Sequence, residues 1–145
     1  MKISNEIINV IPEVKDWRHD LHAHPELGYE EKWTSNFVAE KLESFGIEVH
    51  RGLGKTGVIG VLKGINANQG GGGNKAIGLR ADMDALPMTE ENDLSYKSKF
   101  DGRMHACGHD GHTAMLLGAA KVFSSIIGKA SISALKPIAL LPPPP

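Results

Sequence analysis

The sequence predicts an α/β fold, with helices packed on a mixed sheet. Three observations carry this reading. Residues 3–22 and 30–45 place apolar side chains at intervals of three and four. Short strand-like runs follow at 47–50, 58–62 and 76–81, the second of them rich in β-branched residues. A third helical stretch, 111–126, is rich in Ala, Leu and Met.

Each element has a local reason. In the first helix Ile7, Ile8, Ile11, Val14, Trp17 and Leu21 share one face. Pro12 lies inside this pattern, so a break or kink is expected there. His24-Pro25 ends the helix, because a residue before proline disfavours α geometry. The second helix buries Phe37, Val38, Leu42 and Phe45 and stops at Gly46. Ile47 to His50 reads as a short strand and Val58 to Leu62 as a better one. Residues 65–75 hold four consecutive glycines at 70–73 and read as a flexible hairpin-like loop. Ala76 to Ala81 reads as a third, central strand that delivers Asp82-Met83-Asp84 to its C-terminal end. Residues 88–103 are polar and loop-like.

From Ala130 onward the only charged residue is Lys136, and the chain closes on Pro142 to Pro145. Residues 127–145 are therefore expected to form a divergent, proline-rich tail in disordered or polyproline form. A buried strand at 137–141 and a proline-rich ligand for an SH3-type groove are the alternatives. Residues 1–126 form the folded part in this reading.

Composition narrows the function classes. Hydrophobic residues make up 41% and charged residues 23%, within the globular range. A net charge of −1 gives no electrostatic footprint for nucleic acid or an acidic membrane. No apolar run approaches membrane-spanning length. The start lacks a cationic flank with an apolar core, so no signal peptide is expected. One cysteine, Cys107, excludes an internal disulfide, and a cytoplasmic location is expected.

The chemistry concentrates in Met104 to His112, which holds Cys107, His105, His109, His112 and Asp110. A thiolate and a neutral imidazole suit a borderline-soft divalent ion, and Gly108 between them permits a tight turn. A buried structural cysteine beside a surface histidine is the plain alternative. Asp82 and Asp84 occupy alternate positions and can point to one side. They read as a turn cap, a direct ligand, or an acid that orients a metal-bound histidine. His22 and His24 read as structural or capping residues at a helix end, with a zinc site as the alternative. Glu90 and Glu91 read as solvated surface.

Together, the segments from Arg18 to Gly28, Leu79 to Pro87, Glu90 to Asn92 and Met104 to Gly118 resemble the M20 metallopeptidase superfamily. The subgroup resembled is the amidohydrolases of N-acyl amino acids, hippurate and indole-acetyl amino acid conjugates. The resemblance runs over roughly residues 5–122. It implies a zinc-exopeptidase-like catalytic domain with two divalent ions, zinc or manganese, interrupted by a lid or dimerisation domain. It implies Cys107 and His109 as metal ligands and Asp84 as the acid that orients a ligand. Asp82 stands where many members carry a histidine ligand, so no ligand role passes to it. The implied substrate is a small N-acyl amino acid, and the implied reaction is metal-assisted amide hydrolysis.

The family's glutamate base and remaining ligands lie beyond the present helix, and from about Val122 the resemblance fades. The lid domain is not recognisable. The expectation is therefore an incomplete catalytic domain, inactive in this form and not oligomeric. A non-catalytic fragment with weak metal binding is the alternative.

Overall fold

The structure, a computed structural model, describes residues 3–64 and 76–127 and the backbone of 138–140. The glycine loop at 65–75 and most of the proline-rich tail lie outside the described residues. In chain order the elements are α1 (Asn5–Ala23), α2 (Lys32–Ser44), β1 (Glu48–Leu53), β2 (Gly57–Val61), α3 (His109–Ile127) and β3 (Ile138–Leu140). The fold is an incomplete α/β domain. The core joins Trp17 and Leu21 of α1, Val38 and Leu42 of α2, Val58 of β2, Met83, and Leu117 of α3.

Helix α1 runs through Pro12 without interruption, against the expected break. Pro12 lies on the exposed side of the helix, as does Ile8, one turn earlier. The carbonyl that loses its partner therefore faces water, which satisfies it. Helix α2 is capped at both ends. The Glu26 carboxylate, from the preceding loop, accepts the backbone N–H groups of Trp33 (3.0 Å) and Thr34 (2.8 Å). This fills two of the open donors at the helix start with a negative charge, as the helix dipole favours. At the other end Gly46 takes φ 73°. The N–H of Gly46 donates to Glu43 and that of Ile47 to Leu42, a paired C-terminal closure sealed by apolar contact.

The strands form a sheet of order β1-β2-β3. β1 pairs antiparallel with β2, with an irregularity between Arg51 and Leu53. Gly52 (φ 86°) sits at that point and supplies the backbone freedom that the bulge needs. β3 pairs antiparallel with the other edge of β2, Ile59 opposite Ala139. The structure thus places a strand at 138–140, within the segment read as tail.

Among the described residues the predicted central strand at 76–81 is not one of the named strands, but Leu79 within it carries a β-bridge. The chain there is extended, and Ala81, Met83 and Ala85 are buried while Asp82 and Asp84 are less so. That alternation is strand-like. Just beyond it, Ala85 N–H donates to the Glu26 carbonyl (2.7 Å), and Leu86 exchanges two bonds with Met104. Among the described residues, the one parallel pairing outside the named strands is the bridge of Leu27 with Ala85. No described helix is long and apolar enough to cross a membrane.

Helices α1 and α3 meet at a close approach. A Cβ placed on Gly118 would lie 2.6 Å from Cγ2 of Val14. Beside this contact an apolar furrow of about 310 Å³ opens between Ile7, Ile11, Met115 and Phe123. A Gly118→Ala change gains about 1 kcal/mol of helix propensity. It also forces an overlap that costs about 1–3 kcal/mol, because Val14 cannot swing aside freely. Net destabilisation of about 1 kcal/mol is expected in urea unfolding. In a Val14→Ala background the same change should stabilise instead. Additive effects in the double variant would show that the helices are not in contact at this point.

Candidate metal centre

The N-terminus of α3 gathers the reactive side chains. Gly108 takes φ 85°, and its carbonyl accepts the N–H of His112 at 3.0 Å. This glycine makes the turn from the preceding loop into α3, with Cys107 before it and His109 as the first helical residue. Cys107 is exposed, which removes the buried structural cysteine as a reading.

His109 is held from behind by Asp84. Its Nδ1 lies 2.9 Å from the Asp84 Oδ1 and 3.0 Å from the Asp84 carbonyl. The carbonyl cannot donate, so Nδ1 carries the proton and donates to both oxygens. In the neutral ring with this tautomer, Nε2 is the nitrogen that carries the lone pair a metal ligand requires. The expected role of Asp84 therefore has its geometry. Asp82 is used differently. Its side chain pairs with Arg80, and its backbone carbonyl accepts the Thr113 hydroxyl at 3.0 Å. This ties the extended segment to α3.

A second cluster lies behind the first, and sequence reasoning did not assemble it. Asp110 is buried and accepts Arg18 Nε at 3.1 Å. His22 places Nδ1 2.9 Å from Asp110 Oδ2 and Nε2 3.1 Å from Glu90 Oε1. Glu90 also accepts the Ser98 N–H (2.8 Å) and the Asn92 amide (3.3 Å). The surface assignment of Glu90 is thus corrected: it is 2% exposed, because these donors replace water around its carboxylate. Glu91, its neighbour, is exposed as expected. Burial pushes both carboxyls upward, yet hydrogen bonds outweigh it. For Asp110 these come from His22 and the Gly111 backbone, helped by charge on His105 and Arg18. For Glu90 they come from Ser98, His22 and Asn92. Both acids end below their ordinary range. His24 is structural, as expected: its Nδ1 donates to the Asp20 carbonyl (2.8 Å) and its ring stacks on Trp33.

His105 is buried, and neither ring nitrogen has a hydrogen-bond partner among the described residues. Burial, above all, brings its pKa down from 6.5 to about 4.

The donor chemistry at Cys107 and His109 fits a divalent ion as a partial set. The thiol is exposed, and the imidazole is held through Nδ1. Among the described residues, no group of three or more His, Cys, Asp and Glu side chains is placed to hold a metal ion. His105, His112 and Asp84 do not complete one.

This geometry sits on the frame of a peptidase catalytic domain. Residues 78–133 match the model of peptidase family M20/M25/M40. Over 125 residues the chain is 52% identical to hippurate hydrolase of Campylobacter jejuni, covering 86% of this chain and 31% of that protein. It is 49% identical to an N-acyl-L-amino acid amidohydrolase of Geobacillus stearothermophilus, covering 83% of this chain and 32% of that one. The structure superposes on the Bacillus subtilis YXEP protein, a dinuclear metal binding peptidase of the M20 family. The TM-score is 0.77 at 35% identity, over 92% of this chain and 35% of the other. The chain spans about a third of the length of the curated relatives it matches. Its sequence matches proteins of the M20 peptidase family over what corresponds to an N-terminal portion of them.

The His105 shift sets a pH dependence. As pH falls below 6.5 the unfolded chain takes up a proton on this imidazole that the folded chain refuses until about pH 4. Stability therefore declines through that window, by about 3 kcal/mol in total at 1.36 kcal/mol per unit. Urea unfolding of the metal-free protein at pH 7, 6, 5 and 4 should show this decline. The His105→Leu variant should show a flatter curve between 6.5 and 4.5. Identical slopes would rule out His105 as the source.

Proposed function

We propose that this chain carries part of a metal-dependent amidohydrolase, whose complete form cleaves the amide bond of N-acyl amino acids. The observation that carries the proposal is the Asp84–His109 couple, which engages the ring through Nδ1 two residues from the exposed Cys107. The names of the relatives, a hippurate hydrolase and an N-acyl-L-amino acid amidohydrolase, support the substrate class.

Cys107, as thiolate, and His109, through Nε2, are the proposed ligands. Divalent ions bound there supply Lewis acidity, which acidifies a water and polarises the scissile carbonyl. Zinc and manganese are the proposed ions, and the thiolate favours zinc. The chain's own contribution is orientation. Asp84 fixes the His109 tautomer, and the Gly108 turn sets Cys107 one step ahead of the helix. We assign the proton-accepting base to no residue of this chain.

A second reading, a non-catalytic unit with weak metal binding, describes these 145 residues by themselves. It is favoured by the absence of a third converging donor among the described residues. Purified chain with zinc or manganese should not hydrolyse N-acetyl amino acids or hippurate. Turnover abolished by Cys107→Ser would overturn this. Equilibrium dialysis should show weak zinc binding that a Cys107→Ala/His109→Ala variant loses. Asp84→Asn should weaken it about ten- to a hundredfold. Unchanged stoichiometry in the double variant would remove both residues as ligands.

A further inference from the structure

We infer that His22 is a positioning residue for the candidate centre: its ring clamps the first turn of α3 to α1 and to the 89–98 loop, and so sets the direction of His109. The metal readout below rests on the ligand reading given above; the ring readout does not.

Three segments meet at this ring. His22 lies in the last turn of α1 and is 4% exposed. Its two nitrogens face Asp110, 88 residues away, and Glu90, 68 residues away. Glu90 in turn holds Ser98 and Asn92, so the loop is folded around the same carboxylate. Arg18, one turn before His22 on α1, grips Asp110 from the same helix face. Asp110 follows His109 directly. A helix advances about 100° per residue, so fixing Asp110 on α1 fixes the rotation of α3 where it leaves Gly108. That rotation decides whether the His109 ring meets Asp84.

The ring type matters. Both neighbours of His22 are carboxylates that are already engaged as acceptors by Arg18, Asn92 and Ser98. The bridging group must donate in two opposite directions. An imidazole places one ring nitrogen toward each of them. A glutamine of similar reach presents one donor and one acceptor, so its oxygen would confront a carboxylate oxygen. That mismatch can be repaired chemically. When His22→Gln is combined with Glu90→Gln, the amide oxygen introduced on α1 can accept from the amide introduced in the loop. The NH₂ of the α1 amide is then free to donate to Asp110.

The test uses the full chain, metal-free, with the His109 ring read by long-range ¹H–¹⁵N NMR and assigned against His109→Asn. Wild type should show one tautomer, protonated at Nδ1. His22→Gln should show averaged tautomers, and His22→Gln/Glu90→Gln should regain the single one. A residue that merely fills space would leave the His22→Gln ring spectrum like wild type, and that result overturns the inference. Equal loss in the single and double variants overturns it as well. Should His22→Gln not fold by near-ultraviolet dichroism, Glu90→Gln alone is read in the same way, since it removes one acceptor at constant size; an unchanged His109 ring then counts against the clamp. In parallel, cobalt(II) titration followed by the thiolate charge-transfer band should give about tenfold weaker binding in His22→Gln, recovered in the double variant. If wild type binds no cobalt, the ligand reading fails while the ring spectra still decide the clamp.

Discussion

The buried carboxylate of Asp110 is the interaction on which the arrangement depends. An ionised carboxylate out of water is costly by several kcal/mol unless it is paired and hydrogen-bonded. Here it is met by Arg18 and His22 from α1 and by the Gly111 N–H at the start of its own helix. The positive end of the α3 dipole adds to these. The charge is therefore compensated only when α1 and α3 lie in one relative position. Apolar burial at Val14 and Gly118 presses the same two helices together but is non-directional. The polar end of the pair gives the register that the apolar end cannot.

The candidate centre inherits this rigidity. His105, Cys107, His109 and Asp110 lie within six residues, yet each meets a different environment. Cys107 is open to solvent, His109 is half-buried against Asp84, and Asp110 and His105 are enclosed. The helix start separates them: successive residues leave the axis in different directions, and the Gly108 turn adds a further change of direction. A dense run of ligand-type residues thus divides into groups that can bind and groups that hold.

How far this was legible depends on range. The helices followed from period, and the stop at Gly46 followed from the backbone freedom of glycine. The partnership of Asp84 with His109 was implied by family resemblance, not by spacing. Pro12 misled because a proline costs little where its orphaned carbonyl faces water. Glu90 misled because a polar loop looks solvated until the donors that enclose it are known. Those donors, His22 and Ser98, lie 68 residues before it and eight residues after it, and neither distance has a period. The strand expected at 76–81 keeps a β-bridge at Leu79. Which neighbour such a segment pairs with is not something its own sequence specifies.

That segment shows which force places Asp84. Along 81–85 the burial alternates, although among the described residues these positions belong to no named strand. Core packing of Ala81, Met83 and Ala85 is thus enough to turn Asp82 and Asp84 to the opposite side. Met83, at 1% exposure, is the anchor, since it is the largest of the three and sits in the same core as Leu21 and Leu117. The hydrogen bond from Ala85 to Glu26 then fixes the segment along its length, and Glu26 is itself the cap of α2. Asp84 is consequently aimed from one side by the apolar core and from the other by a helix cap. Its contact with His109 joins that assembly to the one built on Asp110.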